Sequence, residues 1–383
     1  MTEAYNKAIQ LLHAASTPNG FVAAVQEEDN YRRIWTRDSA LCGLAALSTD
    51  DAALKQTFRK SIETIFRNQH KAGFIPSNVS PIGDNVSYGT VVGRVDNHAW
   101  IIISACTYAH VQNEIEWLRQ FAQNIEKSFA LMTAWEFNGR GLMYVPQSAD
   151  WADEFHHHGY ILYNQLLRLL ALRCAAQLLS NDEYSAEAQR VQTAIEKYFS
   201  GKQFYAAQVE RMWKDKEKPY WMMGFNTAQL YTRFDLQANA LALLLEIGDD
   251  RQQQKLVQYI KQLFSNFLLP SFYPVIKEKD EEMEDLKSNY AFRFRNRPYE
   301  FHNGGLWSVW NGFMALCIAQ QDKVLANQIS EKIAQACAQN DWDFNECHHG
   351  QTHKPIGVSK CAWSAAGLIL SVNHSFASQL IPV

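Results

Sequence analysis

The connections between the predicted helices alternate between short and long, and this alternation constrains the fold more than any other feature of the sequence. Apolar residues recur at spacings of three and four, the periodicity of amphipathic helices. Connections after even-numbered helices are a few residues long, whereas those after odd-numbered helices run to roughly twenty residues or more, well beyond the usual length. The predicted helices cover residues 2–15, 37–48, 52–69, 96–110, 112–134, 158–179, 184–200, 225–246, 250–266, 304–321, 323–339 and 360–373.

This alternation is typical of six helical hairpins that are joined tightly at one end and loosely at the other. Such hairpins can close into a ring of inner and outer helices. The even-numbered helices carry the more continuous apolar runs, at 101–103, 166–172 and 241–245, as helices covered on all sides should. We therefore predict an all-α fold of twelve helices, an (α/α)6 barrel in one domain over 1–383. The alternative is an open helical array, but no repeat of fixed length supports a solenoid.

The composition argues against several classes of protein. Hydrophobic residues make up 47% of the 383 and charged residues 20%, so the chain can bury a large core and is not disordered. A net charge of −4 leaves no basic surplus for nucleic acid. No apolar run approaches the roughly 20 residues that span a membrane, and residues 1–16 have the pattern of a helix rather than a signal peptide. Seven cysteines without a Cys-x-x-Cys pair favour a reducing cytoplasm.

The long connections all enter even-numbered helices, so the barrel would gather them at one mouth, where a rigid scaffold usually carries its site. They place aromatic residues beside Asp, Asn, His and Arg, a combination that suits a flat, hydroxylated ligand. The aromatic content of 13% is equally compatible with a large core. The segments concerned are 35–38, 93–96, 148–153, 221–226, 298–305 and 345–346, with Trp363.

Two carboxylates in these connections are candidates for general acid and base catalysis. Asp153 could cap the helix that follows it, or could stay protonated beside Trp151 and donate a proton near neutral pH. Glu346 could be an ordinary solvated side chain, or the base that activates water. A separation of roughly 6.5–9.5 Å would leave room for that water and give inversion at a sugar carbon. Asp150 and Glu300 are the reserve pair.

Arg37 and Asp38 open the second predicted helix. An ion pair at a helix start is an ordinary feature, but with Trp35 alongside it could also clamp adjacent sugar hydroxyls. Neither of the glycine-rich phosphate-binding loops occurs, so nucleotide chemistry is unsupported. The histidines at 156–158 and 348–349 lack the spacing of metal ligands. We expect neither a metal ion nor a cofactor.

Six short motifs, taken in their order along the chain, resemble those of one group of enzymes. They are Trp-Thr-Arg-Asp-Ser at 35–39, Gly-Phe-Ile-Pro-Ser-Asn at 73–78, Arg-Val-Asp at 94–96 with Trp100, Asp-Trp-Ala-Asp at 150–153, Tyr-Glu-Phe-His-Asn-Gly-Gly at 299–305, and Asn-Glu at 345–346 followed by Trp-Ser-Ala-Ala-Gly at 363–367. The chain resembles the six-hairpin inverting glycosidases. This group includes neutral invertases, glucoamylases, trehalases, the glucosidase domain of glycogen debranching enzymes and the processing-glucosidase-like bacterial α-glycosidases.

The resemblance implies an inverting glycoside hydrolase that acts, without a cofactor, on a small α-linked glycoside or oligosaccharide. It assigns the general acid to Asp153 and the general base to Glu346. The Asp-Arg-Arg segment of neutral invertases is absent before Gly159, which argues against sucrose as the substrate. The residues it implies for substrate binding are Trp35, Arg37, Asp38, Asp96, Trp100, Trp151, Tyr299, Glu300, His302, Asn303 and Trp363.

Two other classes of function fit the same barrel. A sugar isomerase or epimerase would move a proton with histidines such as His98, His302 or His348, and it needs a pair of them at the mouth. A noncatalytic sugar-binding barrel needs no catalytic pair. Hydrolysis instead needs Asp153 and Glu346 at one mouth, so the position of these side chains discriminates between the classes.

Overall fold

A computed structural model describes residues 1–82, 85–213, 218–264, 267–289 and 293–380. Twelve of the described helices form six hairpins in two concentric layers, as predicted. The inner helices are α2 (Thr36–Leu47), α4 (Asp96–Gln112), α7 (Leu162–Leu179), α10 (Leu236–Leu244), α13 (Ser308–Ile318) and α16 (Ala362–Val372). The outer helices are α1 (Thr2–Ala14), α3 (Ala52–Arg67), α6 (Ala122–Ala134), α8 (Asp182–Tyr198), α11 (Asp250–Leu263) and α14 (Lys323–Cys337).

Short helices and strands occupy the connections. The short helices are α5 (Ile115–Arg119), α9 (Ala207–Trp213), α12 (Glu282–Ser288), α15 (Gln339–Trp342) and α17 (Ala377–Leu380), with a 3-10 turn at His374–Phe376. The strands are β1 (Ser16–Thr17), β2 (Gly20–Phe21), β3 (Ile34–Trp35), β4 (Asn78–Val79), β5 (Val86–Ser87), β6 (Tyr160–Ile161), β7 (Met222–Phe225), β8 (Leu230–Asp235), β9 (Phe272–Tyr273), β10 (Cys347–His348) and β11 (Pro355–Ile356). They pair antiparallel in the orders β1-β2, β3-β4-β5, β6-β7-β8-β9 and β10-β11.

The two layers differ in how much of each helix is buried. Every residue of the inner helices α2 and α13 is buried, whereas the outer helix α3 buries one stripe that includes Leu54, Phe58 and Ile62. Four outer helices, α3, α8, α11 and α14, begin with a side-chain cap; in α11, Asp249 forms a capping box with Gln252. These caps lie at the short connections, so local chemistry determines the tight end of each hairpin. Within the described residues, no helix is long and apolar enough to cross a membrane.

The inner helices pack in the order α2, α4, α7, α10, α13 and α16, and α16 returns to α2, so the ring is closed. The backbones of α13 and α16 approach closely. A Cβ built on Gly312 would lie 2.0 Å from the carbonyl oxygen of Gly367, and one built on Gly367 would lie 2.4 Å from that of Ser308. Because neither glycine has a side chain, the two helices can pack at this distance.

The helix predicted at 225–246 is wrong in its first half. Residues 222–235 form the hairpin of β7 and β8 instead, and α10 begins after it. Asn226 makes the turn, since its Oδ1 accepts from the backbone N–H groups of Ala228 and Gln229 at 2.7 and 2.8 Å. The apolar run before this turn is too short for periodicity to distinguish a buried strand from a helix.

Two other predicted helices differ in part from the structure. The helix predicted at 158–179 starts as strand β6, which pairs with β7. The helix predicted at 112–134 is divided into α5 and α6. The last two residues of the helix predicted at 250–266 lie outside the described residues. The remaining boundaries agree within a few residues, as expected where the apolar period is sustained.

Gly367→Ala should destabilise the barrel. The added methyl group would collide with the backbone of α13, and overpacking a dense core costs about 1–3 kcal/mol or more in free energy of unfolding. Urea unfolding followed by circular dichroism measures the change. Asn327→Ala, on the exposed face of α14, is the control and should lie within about 0.5 kcal/mol of wild type. Equal stability of Gly367→Ala and wild type would contradict the close packing of α13 on α16.

Candidate active site

A cavity of about 1360 Å³ opens at the amino ends of the inner helices α2, α4, α13 and α16. Five of the six long connections contribute to its wall, as predicted from their common position in the hairpins. The sixth, which contains 221–226, forms β7, and none of its described residues lines the wall. The stretches that line the cavity lie within 23–38, 77–94, 151–154, 293–307 and 346–363.

Glu346 is buried in this wall, with 5% of its surface exposed. Each carboxylate oxygen accepts one hydrogen bond: the Tyr31 hydroxyl donates to Oε1 at 2.8 Å, and the backbone N–H of Val358 donates to Oε2 at 3.2 Å. Burial raises the pKa of Glu346 to about 7, although both hydrogen bonds and the nearby Arg295 guanidinium favour the charged form. This carboxyl group therefore changes its charge near neutral pH.

The backbone beside Glu346 leaves no room for a second side chain. Gly357 has a φ of +79°, and a Cβ built there would lie 2.4 Å from Oε2 of Glu346. The backbone N–H of Glu346 donates to the carbonyl of Val358 at 2.8 Å, immediately before β10 pairs with β11. The β10–β11 turn thereby holds the carboxylate in one orientation at the cavity.

Asp153 lines the same cavity, is more exposed than Glu346, and pairs with an arginine. Arg94 Nη2 donates to Asp153 Oδ2 at 2.5 Å, and Arg94 Nη1 donates to the carbonyl of Ser148 at 2.8 Å. The neighbouring Glu154 accepts from Arg295 Nε at 3.1 Å. Charge pairs therefore hold this loop, and Asp153 does not cap a helix.

Arg37 is buried between two carboxylates at the amino end of α2. Its guanidinium nitrogens lie 3.9 Å from Asp38 and 3.4 Å from Asp96, and its central carbon lies 5.6 Å from the ring centroid of Trp363. Burial raises the pKa of Asp38 to about 6 and that of Asp96 to about 6, while Arg37 opposes both shifts. Arg37 and Asp38 line the cavity, so this pair can present a donor and an acceptor to a ligand.

Trp151, His302, Trp307 and Trp363 form an aromatic floor in the cavity. The ring centroid of Trp307 lies 5.4 Å from that of Trp151 and 5.5 Å from that of Trp363, both edge to face. His302 stacks on Trp307 at 5.6 Å. Burial lowers the pKa of His302 to about 3, so the imidazole is neutral. Flat rings with a neutral polar edge suit the C–H face and the hydroxyl groups of a sugar.

The structure brings most of the predicted substrate-binding residues to the cavity, with four exceptions. Asp96 is fully buried behind Arg37 and does not line the wall. Trp100 is fully buried in the core, where its Nε1 donates to the Tyr163 hydroxyl at 2.9 Å. Asn303 bonds the backbone N–H and carbonyl of Ile276 at 2.8 and 2.9 Å, so it holds a loop. Tyr299, with a φ of +71°, lies outside the wall. The predicted residues that line the cavity are Trp35, Arg37, Asp38, Trp151, Glu300, His302 and Trp363.

Asp150, the reserve acid, does not line the cavity. It is 2% exposed and lies within hydrogen-bonding distance of His157 Nε2 at 3.0 Å, while Asn164 Nδ2 donates to it at 2.8 Å. Burial opposes ionisation, but His157 and the hydrogen bonds hold the pKa of Asp150 below its usual value. Asp150 therefore belongs to the core, whereas Glu300, its reserve partner, lines the cavity.

The histidines that an isomerase would need do not meet. Of the three predicted, His302 lines the cavity, whereas His98 and His348 are buried away from it, beside the backbone of Ile75 at 3.3 Å and of Ala336 at 3.2 Å. Burial lowers the pKa of His98 and of His348 to about 4. Within the described part of the chain, no group of three or more His, Cys, Asp or Glu residues could hold a metal ion.

Sequence reasoning did not single out Tyr31, Arg295 or Trp307. Tyr31 is 315 positions from Glu346, and no local pattern signals its role. Arg295 lies in a run with three arginines in five residues, which is a visible signal. Trp307 stands immediately before α13 as Trp35 stands before α2, so a comparison of the helix starts would have found it.

Comparison with protein families identifies the chain. The family model described as alkaline and neutral invertase matches residues 2–218 and 205–377, which together span nearly the whole sequence. The chain belongs to the alkaline and neutral invertase family. It is therefore a glycoside hydrolase, as predicted, and neither an isomerase nor a noncatalytic binding protein.

Solved structures of glycosidases share the fold of this family member. The mannosylglycerate hydrolase of Thermus thermophilus has a TM-score of 0.69 at 14% identity, covering 96% of this chain and 99% of that chain. A bacterial glucoamylase complexed with acarbose has a TM-score of 0.63 at 13% identity, covering 98% of this chain and 55% of that chain. At these identities the likeness shows the fold alone, and it confirms the predicted six-hairpin glycosidase barrel. Among curated proteins, none matches the chain in sequence.

Tyr31→Phe should raise the pKa of Glu346 further above that of an ordinary carboxyl group. The substitution removes the hydroxyl that donates to Oε1 and keeps an apolar ring, so the charged carboxylate loses a hydrogen bond and stays buried. NMR titration of carbon-13-labelled glutamate carboxyls measures the pKa, with Glu346→Gln identifying the resonance. Tyr205→Phe, outside the cavity, is the control and should leave it unchanged. An unchanged or lower pKa in Tyr31→Phe would contradict this account of the hydrogen bond.

Proposed function

We propose that this glycoside hydrolase, acting as a single domain, cleaves a small α-linked glycoside with inversion, with Asp153 as general acid and Glu346 as general base. The observation that carries the proposal is that two carboxylates from distant parts of the chain line one cavity together with Arg37 and Asp38. An inverting mechanism needs an acid at the departing glycosidic oxygen and a base for water at the opposite face of the sugar. The substrate would be a small oligosaccharide or glycoside.

The clamp and the aromatic floor support a position for the nonreducing sugar. Asp38 would accept from one hydroxyl while Arg37 donates to its neighbour, and both are held in place by burial at the start of α2. The C–H face of the ring would lie against Trp151 and Trp363. Because Arg37 and Asp38 are buried, each charge-assisted hydrogen bond they make to a ligand counts for more than it would at the surface.

Positive charge at the rim of the cavity suits a substrate whose leaving group carries a negative charge, so such a substrate should be compared with one whose leaving group is neutral. Arg293 and Arg297 are exposed at this rim and form no ion pair with the described residues. The Thermus enzyme is by its name a mannosylglycerate hydrolase, and glycerate carries a carboxylate. An invertase instead releases a neutral sugar. We therefore include an α-linked glycosylglycerate and sucrose among the substrates to be compared.

The proposed roles place different demands on the two carboxyl groups when substrate enters. Glu346, whose pKa burial raises to about 7, is largely ionised and ready to take a proton from water above neutral pH. Asp153 must exchange Arg94 for the glycosidic oxygen before it donates a proton. The same contacts favour one competing assignment, in which Glu346 is the protonated acid and Asp153, held by Arg94, is the base.

We also propose that the enzyme acts in a reducing compartment such as the cytoplasm. All seven cysteines are buried free thiols. Reducing compartments keep thiols in this state, whereas small secreted domains are typically cross-linked.

The proposed acid and the proposed base should respond differently to substitution. Asp153→Asn should lose about a hundredfold or more in kcat on glycosides with poor leaving groups, yet retain most activity on a glycosyl fluoride, which departs without a proton. Glu346→Gln should lose activity on both, because each substrate still needs an activated water. Steady-state kinetics of the two variants on both substrate types measure this, with Glu331→Gln on the surface of α14 as the unaffected control.

Two outcomes would contradict the proposal. If Glu346→Gln spares the fluoride and Asp153→Asn does not, the two residues exchange roles. The stereochemistry of the product is an independent check, because inversion releases the β-anomer first from an α-glycoside and NMR detects it before mutarotation. Release of the α-anomer first would mean a covalent intermediate, and Glu346 would then not be a simple base.

Asp38→Ala should lower kcat/KM by about tenfold to a hundredfold or more, because it removes a charge-assisted hydrogen bond worth roughly 1.5–3 kcal/mol in the substrate complex and the transition state. Kinetics on whichever of the compared substrates is cleaved fastest measure the loss, and thermal melting verifies that the variant is folded. Asp250→Ala, at the exposed start of α11, is the control. Unchanged kinetics in a folded Asp38→Ala protein would assign Asp38 to the structure of α2 alone.

A further inference from the structure

A second cavity, of about 960 Å³, lies apart from the catalytic one, and no described residue lines both. It forms on the outer layer of the barrel, where the carboxyl end of α8, the short helix α9 and the amino end of α11 meet. Aromatic side chains make up its inner wall; Phe199, Trp213 and Trp221 are buried, while Phe204 and Tyr220 are partly exposed to the opening.

Basic side chains surround the opening of this second cavity. Lys202, Arg211, Lys218 and Arg251 are all exposed at its wall, and none of them forms an ion pair with the described residues. Lys255 also lines it. The cations come from three separate stretches of chain, so they do not form a single charged run along one solvated helix face.

Among the described residues of the same wall, the two acidic ones, Glu210 and Asp249, do not balance these cations. Asp249 is already committed, because its Oδ1 accepts from the backbone N–H of Gln252 at 2.9 Å and caps α11. Glu210 is exposed on α9. The whole chain carries a formal charge of −4, so this opening is a positive region on an acidic protein and would attract anions.

An aromatic wall below a basic rim combines two recognition surfaces. Aromatic faces stack on flat or C–H-rich rings, and uncommitted guanidinium and ammonium groups bind phosphate oxygens with charge-assisted hydrogen bonds. We propose that this cavity binds a phosphorylated ring compound, either a sugar phosphate or a nucleotide, with the ring against the aromatic wall and the phosphate at the basic rim. This site is independent of the proposed hydrolytic mechanism.

Isothermal titration calorimetry of the full chain with glucose 6-phosphate, AMP, glucose and inorganic phosphate tests this site. At least one of the two phosphorylated ring compounds should bind with a Kd below about 1 mM, and the tighter of the two identifies the kind of ring. Any binding of glucose should be the same in wild type and in Arg211→Ala/Arg251→Ala, because glucose has no phosphate for the basic rim to bind. Affinity should fall with added salt, because the contacts at the rim are exposed charges.

Variants locate the binding. Arg211→Ala/Arg251→Ala should raise the Kd of the phosphorylated ligand by roughly tenfold or more, because two charge-assisted contacts are removed. Lys323→Ala/Lys332→Ala, on α14, is the matched control and should bind as wild type. Phe204→Ala should weaken the binding of the phosphorylated ring compound and leave the binding of inorganic phosphate unchanged. All substituted positions lie at the surface or the opening, and hydrolytic activity without the ligand reports that each variant is folded.

Three results would overturn the proposal. The first is that neither phosphorylated ring compound binds with a Kd below about 1 mM. The second is that the Kd is unchanged in Arg211→Ala/Arg251→Ala. The third is that binding is lost in Arg297→Ala, which would place the ligand at the rim of the catalytic cavity instead.

Discussion

The inner ring closes where its last helix, α16, packs against its first helix, α2, and the catalytic cavity depends on this seam. The backbone N–H of Ala362 donates to the carbonyl of Ala23 at 2.8 Å across it. The hydrogen bond from Tyr31 to Glu346, between residues 315 positions apart, crosses the same seam. Contacts between residues so distant in sequence form only after the hairpins between them have packed. The site is therefore a property of the closed ring and not of any one motif.

Buried charge is the second constraint on this molecule. Desolvation raises the pKa of both Asp38 and Glu346, and Arg37 offsets part of the cost for Asp38. Glu346 has hydrogen bonds but no ion pair with the described residues. Since its pKa is raised above that of an unfolded carboxyl, this group favours folding at low pH, and its contribution is lost as pH rises toward about 7. A buried carboxyl that ionises at neutral pH is thus retained at a cost in stability, as is common where chemistry requires it.

The success of the helix predictions and the failure at β7 and β8 have the same origin. A helix that lies on a core repeats its apolar residues within its own length, so twelve helices could be recognised one at a time. The hairpin at 222–235 is stabilised by pairing with β6 and β9, which are contributed by other connections. No local period records that pairing, and the hairpin also explains why the segment at 221–226 is missing from the catalytic wall.

The sequence by itself determined the six hairpins, since caps such as Asp249 and the apolar periods act locally. It also determined which connections carry Asp153 and Glu346, because both lie in recognisable short motifs. Only the tertiary structure decided that Arg94 pairs with Asp153, that Tyr31 bonds Glu346, and that Trp100, Asn303 and Asp150 face the core. The reason is physical: the charge state and exposure of a side chain depend on the groups around it, and in a closed ring those groups belong to other hairpins.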